Sequence, residues 1–88
     1  MPEPRQVNVT IYGQDYALSS EAEESYVTEL ARRVDAKMRE AAAATGVTTP
    51  LKVAILAAMN LADELHEERQ ARREDQPHVT IYLLKPFL

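Results

Sequence analysis

The side chains that could do chemistry in this sequence are two histidines and three serines. A bound metal ion needs several ligands at regular spacing, but His66 and His78 are twelve positions apart and the chain contains no cysteine. A nucleophilic serine needs a neighbouring base held by an acid, and no such pair accompanies Ser19, Ser20 or Ser25. We therefore expect no metal site and no catalytic constellation.

The composition also argues against an enzyme and against a nucleic-acid-binding protein. Gly13 and Gly46 are the only glycines, too few for a loop that cradles phosphate. The formal net charge is −4, whereas binding to nucleic acid requires a concentrated positive surface. A length of 88 residues fits one domain. The sequence thus predicts a single non-enzymatic domain over residues 1–88, without a cofactor.

The predicted location is the cytoplasm. The first five residues are polar and contain two prolines, unlike a signal peptide. No apolar stretch reaches the roughly 20 residues that span a bilayer. The absence of cysteine is consistent with a reducing compartment.

The elements that must position any functional residue begin with a β-hairpin over residues 6–18. Val7, Val9 and Ile11 alternate with polar residues, and a type II′ turn is expected at Gly13 and Gln14. A helix over 21–44 follows, with a capping box formed by Ser20 and Glu23. Its apolar side chains recur at helical spacing and comprise Ala22, Tyr26, Leu30, Val34 and Met38, widened by Val27, Ala31 and Ala41.

Gly46 is expected to end this helix, and Thr49 with Pro50 to begin a second helix over 50–74. Because the connection is short, we expect an antiparallel pair of helices. The predicted fold class is therefore α+β, in the order ββαα.

The second predicted helix is apolar on more than one side. One stripe consists of Leu51, Ile55, Ala58, Ala62 and Leu65, and the other of Val53, Leu56, Ala57 and Asn60. A small domain can bury one stripe, and each large apolar side chain left in water forfeits roughly 1.5–3 kcal/mol. We therefore predict a dimer through this helix, with an interface of Val53, Leu56, Ala57, Asn60, Leu61 and Glu64.

Asn60 is the polar member of that interface. An amide in an apolar seam fixes register and partner number when it is hydrogen-bonded across the seam. The alternative is that Asn60 faces a backbone carbonyl of its own subunit. The sequence alone does not choose between them.

The segment 77–88 begins with Pro77, which stops a helix, and then has a strand pattern at Val79, Ile81 and Leu83. The tetrapeptide VTIY occurs at 9–12 and again at 79–82, which is too short a match to indicate a structural repeat. The segment is either a third strand beside the hairpin or an apolar tail that docks on another subunit or protein.

Four basic residues of the first helix, Arg32, Arg33, Lys37 and Arg39, form a modest cluster. They either contact a partner or pair with Glu29 and Asp35 at helical spacing. The second functional hypothesis is a small dimeric regulator that binds nucleic acid or another protein. Two helices joined by TGVTT superficially resemble a helix-turn-helix, but the second helix begins with apolar residues where base-reading side chains are expected, and burial explains these residues better.

Three segments of the sequence resemble the ZapA family of bacterial cell-division proteins. They are VNVTIYGQDYAL at 7–18, ARRVDAKM at 31–38 and, most specifically, VAILAAMNLADEL at 53–65. The resemblance implies a non-enzymatic cytoplasmic protein at the mid-cell division site that dimerises through its second helix. It also implies binding to filaments of the tubulin-like FtsZ and their cross-linking into bundles.

The resemblance also implies that two dimers join into a tetramer through a longer C-terminal coiled coil. Here Glu68, Arg69 and Arg72 are charged and Pro77 ends the helix, so the choice between dimer and tetramer stays open. The candidate contacts with FtsZ are Gln14 at the hairpin tip and the four basic residues Arg32, Arg33, Lys37 and Arg39.

Overall fold

The computed structural model describes residues 3–71, which form a two-stranded sheet followed by two helices. The strands are β1 (Arg5–Ile11) and β2 (Gln14–Ser20), and the helices are α1 (Glu24–Thr45) and α2 (Pro50–Gln70). This order confirms the predicted ββαα arrangement of the α+β class. The predicted helix end at 74 and the segment 77–88 lie outside the described residues.

The hairpin turn differs from the predicted type. Ile11 pairs with Gln14, so Tyr12 and Gly13 are the central residues, with φ angles of 51° and 80°. Two positive φ angles define a type I′ turn, whose twist matches that of the strands. The turn therefore lies one residue earlier than predicted, and Tyr12 adopts a conformation that side chains usually avoid.

The capping box predicted for α1 is wrong because β2 extends through Ser20. The Ser20 hydroxyl accepts a hydrogen bond from the Ala22 amide at 3.0 Å, and α1 begins only at Glu24. Glu23 occupies the N-cap without a side-chain cap bond, and its carboxylate lies 4.0 Å from Arg5 of β1.

The predicted junction between the helices is confirmed at both ends. Gly46 has φ 77° and its amide donates to the carbonyl of Ala42 at 2.8 Å. Thr49 is the N-cap of α2 and Pro50 its first residue, although the Thr49 hydroxyl makes no cap bond. The chain direction changes by 105° between α1 and α2. The two helices therefore cross at a steep angle and are not close to antiparallel.

The core of the described chain has two neighbouring parts. The first joins β1 to α1 and contains Val7, Val9, Val27 and Ala31. The second joins α1 to α2 and contains Met38, Val53 and Ala57, with Ile11 and Tyr12 packed against it. Tyr26 and Leu30, which were predicted on the packing stripe of α1, are exposed because the buried face follows Val27 and Ala31.

No individual helix within residues 3–71 has the length and apolar content to cross a bilayer; α1 and α2 meet that test only when joined across their bend.

Candidate interaction surface

The inner face of α2 is buried by the rest of the same chain. Val53, Leu56 and Ala57 retain 0%, 2% and 2% of their exposure. These three residues were predicted to contact a second subunit, and the structure corrects that assignment. They were misplaced because helical spacing identifies two stripes without indicating which one meets α1.

The outer face of α2 lies on the opposite side of the helix and is open. Leu51, Ile55 and Leu65 are 70%, 47% and 49% exposed, and they share one side because 3.6 residues complete a turn. We call the residues of this side the outer stripe: Leu51, Ile55, Ala58, Met59, Ala62 and Leu65. A contiguous exposed apolar surface of this kind commonly marks an interaction site.

The other three predicted interface residues lie further along α2. Asn60 and Leu61 are half-buried and Glu64 is exposed. None of them is enclosed as Val53 is, so their contact with a second subunit stays a prediction. The role of Asn60 in setting register likewise stays a prediction.

A groove of about 430 Å³ separates β2 from the beginning of α2. Tyr16 and Leu18 of β2 line one wall, and Leu51 and Ala54 of α2 line the other. It exists because α1 packs mainly against β1, which leaves the inward-facing side chains of β2 exposed. The groove continues the outer stripe, so one apolar surface runs from β2 onto α2.

The hairpin tip is fastened to α1 by a carboxylate that the sequence analysis treated only as a helix-surface acid. The Asp35 carboxylate accepts a hydrogen bond from the Tyr12 amide at 2.7 Å and another from the Arg39 guanidinium at 3.0 Å. The Arg39 bond, followed by the Tyr12 amide, lowers the pKa of Asp35. Arg39 also lies 5.7 Å from the centre of the Tyr12 ring, within the range of a cation–π contact. The pairing of Asp35 with Arg39 was visible in the sequence, but its link to Tyr12 was not.

Arg32 and Arg33 both bind Glu29, which confirms the pairing alternative for these residues. Arg32 donates to the two carboxylate oxygens of Glu29 at 2.9 and 2.6 Å, and Arg33 lies at 3.5 Å. The hydrogen bond from Arg32 is the main reason that the pKa of Glu29 is lowered. Both arginine side chains remain largely open to solvent, so they stay available to a partner.

Lys37 has a different environment from these arginines. Its ammonium group binds Glu64 of α2 and lies 3.7 Å from Glu40. The hydrogen bond to Glu64 raises the pKa of Lys37, whose side chain is only 15% exposed. Lys37 thus joins the two helices, whereas Gln14 at the hairpin tip is exposed.

The described part of the chain contains no group of three or more histidine, cysteine or acidic residues placed to hold a metal ion. His66 is exposed on α2, and His78 lies outside residues 3–71.

Comparison with known proteins links this fold to one family. The sequence profile of the family described as Cell division protein ZapA matches residues 7–84. A protein of that name from Halalkalibacterium halodurans is 33% identical over 79 residues, which cover 89% of this chain and 87% of the relative. Another from Geobacillus thermodenitrificans is 38% identical over 63 residues, covering 70% and 69% of the two chains.

An uncharacterized protein from Treponema pallidum is 31% identical over 67 residues, covering 76% of this chain and 62% of the relative. No solved structure gives a significant match. Since the family profile extends over the hairpin and both helices, the chain belongs to the ZapA family of cell division proteins.

Proposed function

We propose that this chain forms a homodimer through the outer stripe of α2 and, as a dimer, cross-links FtsZ filaments at the division site. The observation that supports the dimer is the open apolar face opposite the buried one. Ile55, Met59 and Leu65 are about half exposed, so covering each of them gains about half of the roughly 1.5–3 kcal/mol that full burial of such a side chain provides. Three such side chains repeated on two copies supply a substantial part of an association free energy.

A second copy suits this face because a two-fold axis places the same apolar side chains of both copies against each other. Small residues at Ala58 and Ala62 lie between the larger Ile55 and Leu65. Small residues allow two helix backbones to approach while the larger side chains interdigitate. Only Leu61 lies at the margin of this contact, because helical spacing places Asn60 and Glu64 on the side of α2 that carries Val53.

Cross-linking follows from bivalency. A dimer carries two copies of every filament contact, and two modest contacts held on one particle bind more strongly than either alone. We assign the filament contact to Gln14, Arg32 and Arg33, which are exposed. Lys37 and Arg39, also candidates from the sequence, are held by Glu64 and Asp35 and act within the subunit.

Sedimentation of FtsZ polymer with this protein tests the proposal. The wild type is expected to co-sediment and to bundle the filaments. Ile55→Glu is expected to remain folded and to bind the filaments as a monomer. It should fail to bundle them, because the introduced charge prevents two copies from associating. Asn8→Glu, an exposed change on the face of β1 opposite Val7 and Val9, is the control and is expected to bundle normally.

No co-sedimentation by the wild type would reject FtsZ as the partner, and bundling by a monomeric Ile55→Glu would reject dimerisation as the cause. A gel shift on duplex DNA separates this function from that of a nucleic-acid-binding regulator. We expect no shift, since the chain is acidic overall and binding to nucleic acid requires a concentrated positive surface.

A further inference from the structure

The outer edge of β2 is an unprotected sheet edge. Among the described residues β2 pairs with β1 alone. Since Ile11 and Gln14 flank a two-residue turn, the alternation of an antiparallel ladder directs the backbone groups of Asp15, Ala17 and Ser19 away from β1. Lysine, proline and bulges commonly block such edges, and the sequence of β2, QDYALSS, contains neither lysine nor proline.

The groove beside this edge is apolar as well as open. Tyr16 and Leu18 face it from β2, and Ile11 and Met38 lie at its base. An additional strand along β2 would place alternate side chains over these residues. The site therefore offers both an edge for backbone hydrogen bonds and a surface for every second side chain, which is the pattern of strand addition.

We propose that residues 79–84 of the same chain, VTIYLL, bind as a third strand along the outer edge of β2. Val79, Ile81 and Leu83 alternate with Thr80, Tyr82 and Leu84, and the first three face the groove. The tetrapeptide VTIY at 79–82 is identical to residues 9–12. In β1 that tetrapeptide already pairs with β2, where Val9 is opposite Tyr16 and Ile11 opposite Gln14. The same four residues would then flank β2 on both edges.

The connection is long enough for binding within one chain. Eight residues, 71–78, separate Gln70 from Val79, and an extended chain of this length carries Val79 up to about 30 Å from Gln70. The length of α2 from Leu51 to Gln70 is about 28 Å at 1.5 Å per residue. The chain can therefore return from the end of α2 to the groove beside Leu51.

This inference does not depend on FtsZ binding, and it divides the open apolar surface between two occupants. The third strand covers Leu51 and Ala54 at the beginning of α2. Ile55, Met59 and Leu65 remain for the second copy.

A disulfide test identifies the occupant of the edge, because the natural chain contains no cysteine. Ala17→Cys is combined in one full-length variant with Thr80→Cys and in another with Tyr82→Cys. All three side chains belong to the outer face of the proposed sheet, so the apolar face is unchanged. Neighbouring strands are about 4.8 Å apart, within the Cα separation that a disulfide spans.

After mild oxidation we expect at least one variant to form an intramolecular disulfide, seen as an oxidised chain of monomer mass on a denaturing, non-reducing gel. Covalent dimers without the intramolecular product would show that a second copy supplies the strand, and would overturn the proposal. Free thiols in both variants would overturn it too, since nothing would then occupy the edge.

Amide hydrogen exchange in the full chain provides an independent measurement. Ile81→Glu places a charge over the groove and is expected to speed exchange at Ala17 and Ser19 by about tenfold or more. Thr80→Glu, which faces away from the groove, is the matched control and should leave both amides at the wild-type rate. Equal exchange in the two variants would contradict the proposed strand, while amides of α1 report that each variant remains folded.

Discussion

The two faces of α2 are almost equally apolar in sequence, yet the fold treats them in opposite ways. Val53 packs against Met38 of α1 and Ile11 of the hairpin, and Leu56 is also buried. Ile55 and Leu65 are open. The inner face is also bordered by two polar attachments, Tyr12 to Asp35 and Lys37 to Glu64. Apolar content therefore indicates how much surface must be covered, while the neighbouring elements decide which part the chain covers itself.

The largest expected effect is on the inner face. Leu56→Ala is expected to destabilise the protein by about 2–5 kcal/mol, because it leaves a cavity where a side chain was enclosed. Leu65→Ala, the same change on the outer face, should cost only about 1 kcal/mol when both variants are made in the monomeric Ile55→Glu background, where no second copy covers Leu65. Urea denaturation of both variants measures the change in the free energy of unfolding. Equal changes in the two variants would contradict the difference between the two faces.

The next effect concerns association through the outer face. Ile55→Glu is expected to convert the dimer to a monomer at micromolar concentration, since an unpaired charge would be buried in the contact. Light scattering gives the mass, and circular dichroism checks that both helices persist. A dimer of unchanged mass in this variant would contradict the assignment of the interface to the outer stripe.

The attachment of the hairpin is expected to weaken in acid. The pKa of Asp35 is lowered in the folded protein, chiefly by its bond to Arg39. A carboxyl with a lowered pKa contributes stability above its unfolded value of about 3.9, and that contribution is lost as the pH falls through the folded pKa. In a titration followed by NMR, the Tyr12 amide resonance should shift below about pH 4 as this contribution is lost. The shift should be absent in Asp35→Asn. An unchanged titration in Asp35→Asn would assign it to another group, such as Glu29.

The smallest expected effect is on the attachment between the helices. The pKa of Lys37 is raised, chiefly by its bond to Glu64, so its contribution is present below the unfolded value of about 10.4 and is lost as the pH rises through the folded pKa. Above about pH 10 the melting temperature of the wild type should therefore fall more steeply with pH than that of Lys37→Met. Parallel decline in the two proteins would mean that this ion pair adds no stability.

Local signals in the sequence predicted most element boundaries and missed those that depend on distant contacts. Gly46 and Pro50 were assigned correctly because each acts through its own backbone. The turn at Tyr12 was misplaced, since the Asp35 carboxylate that receives its amide is 23 positions away. The start of α1 was also misplaced, because pairing with Arg5 keeps Ser20 in β2.

The candidate interaction surface shows the same difference between features predicted from local signals and features set by distant contacts. Leu51, Ile55 and Leu65 were recognised as one stripe from spacing alone. Their exposure could not be recognised, because it depends on the side from which α1 and the hairpin approach α2. Arg32 and Arg33 were paired correctly with Glu29, whereas the bond between Lys37 and Glu64 joins two helices and has no periodic signature.

By itself the sequence determined the order of strands and helices, the absence of cysteine chemistry and an excess of apolar surface on the second helix. Tertiary structure alone decided that Val53, Leu56 and Ala57 face inward, and that Ile55 and Leu65 face outward. The physical reason is that periodicity fixes the angle between two stripes about a helix axis. The rotation of that helix against its neighbours is set by the packing of side chains such as Met38 and Ile11, which no local pattern specifies.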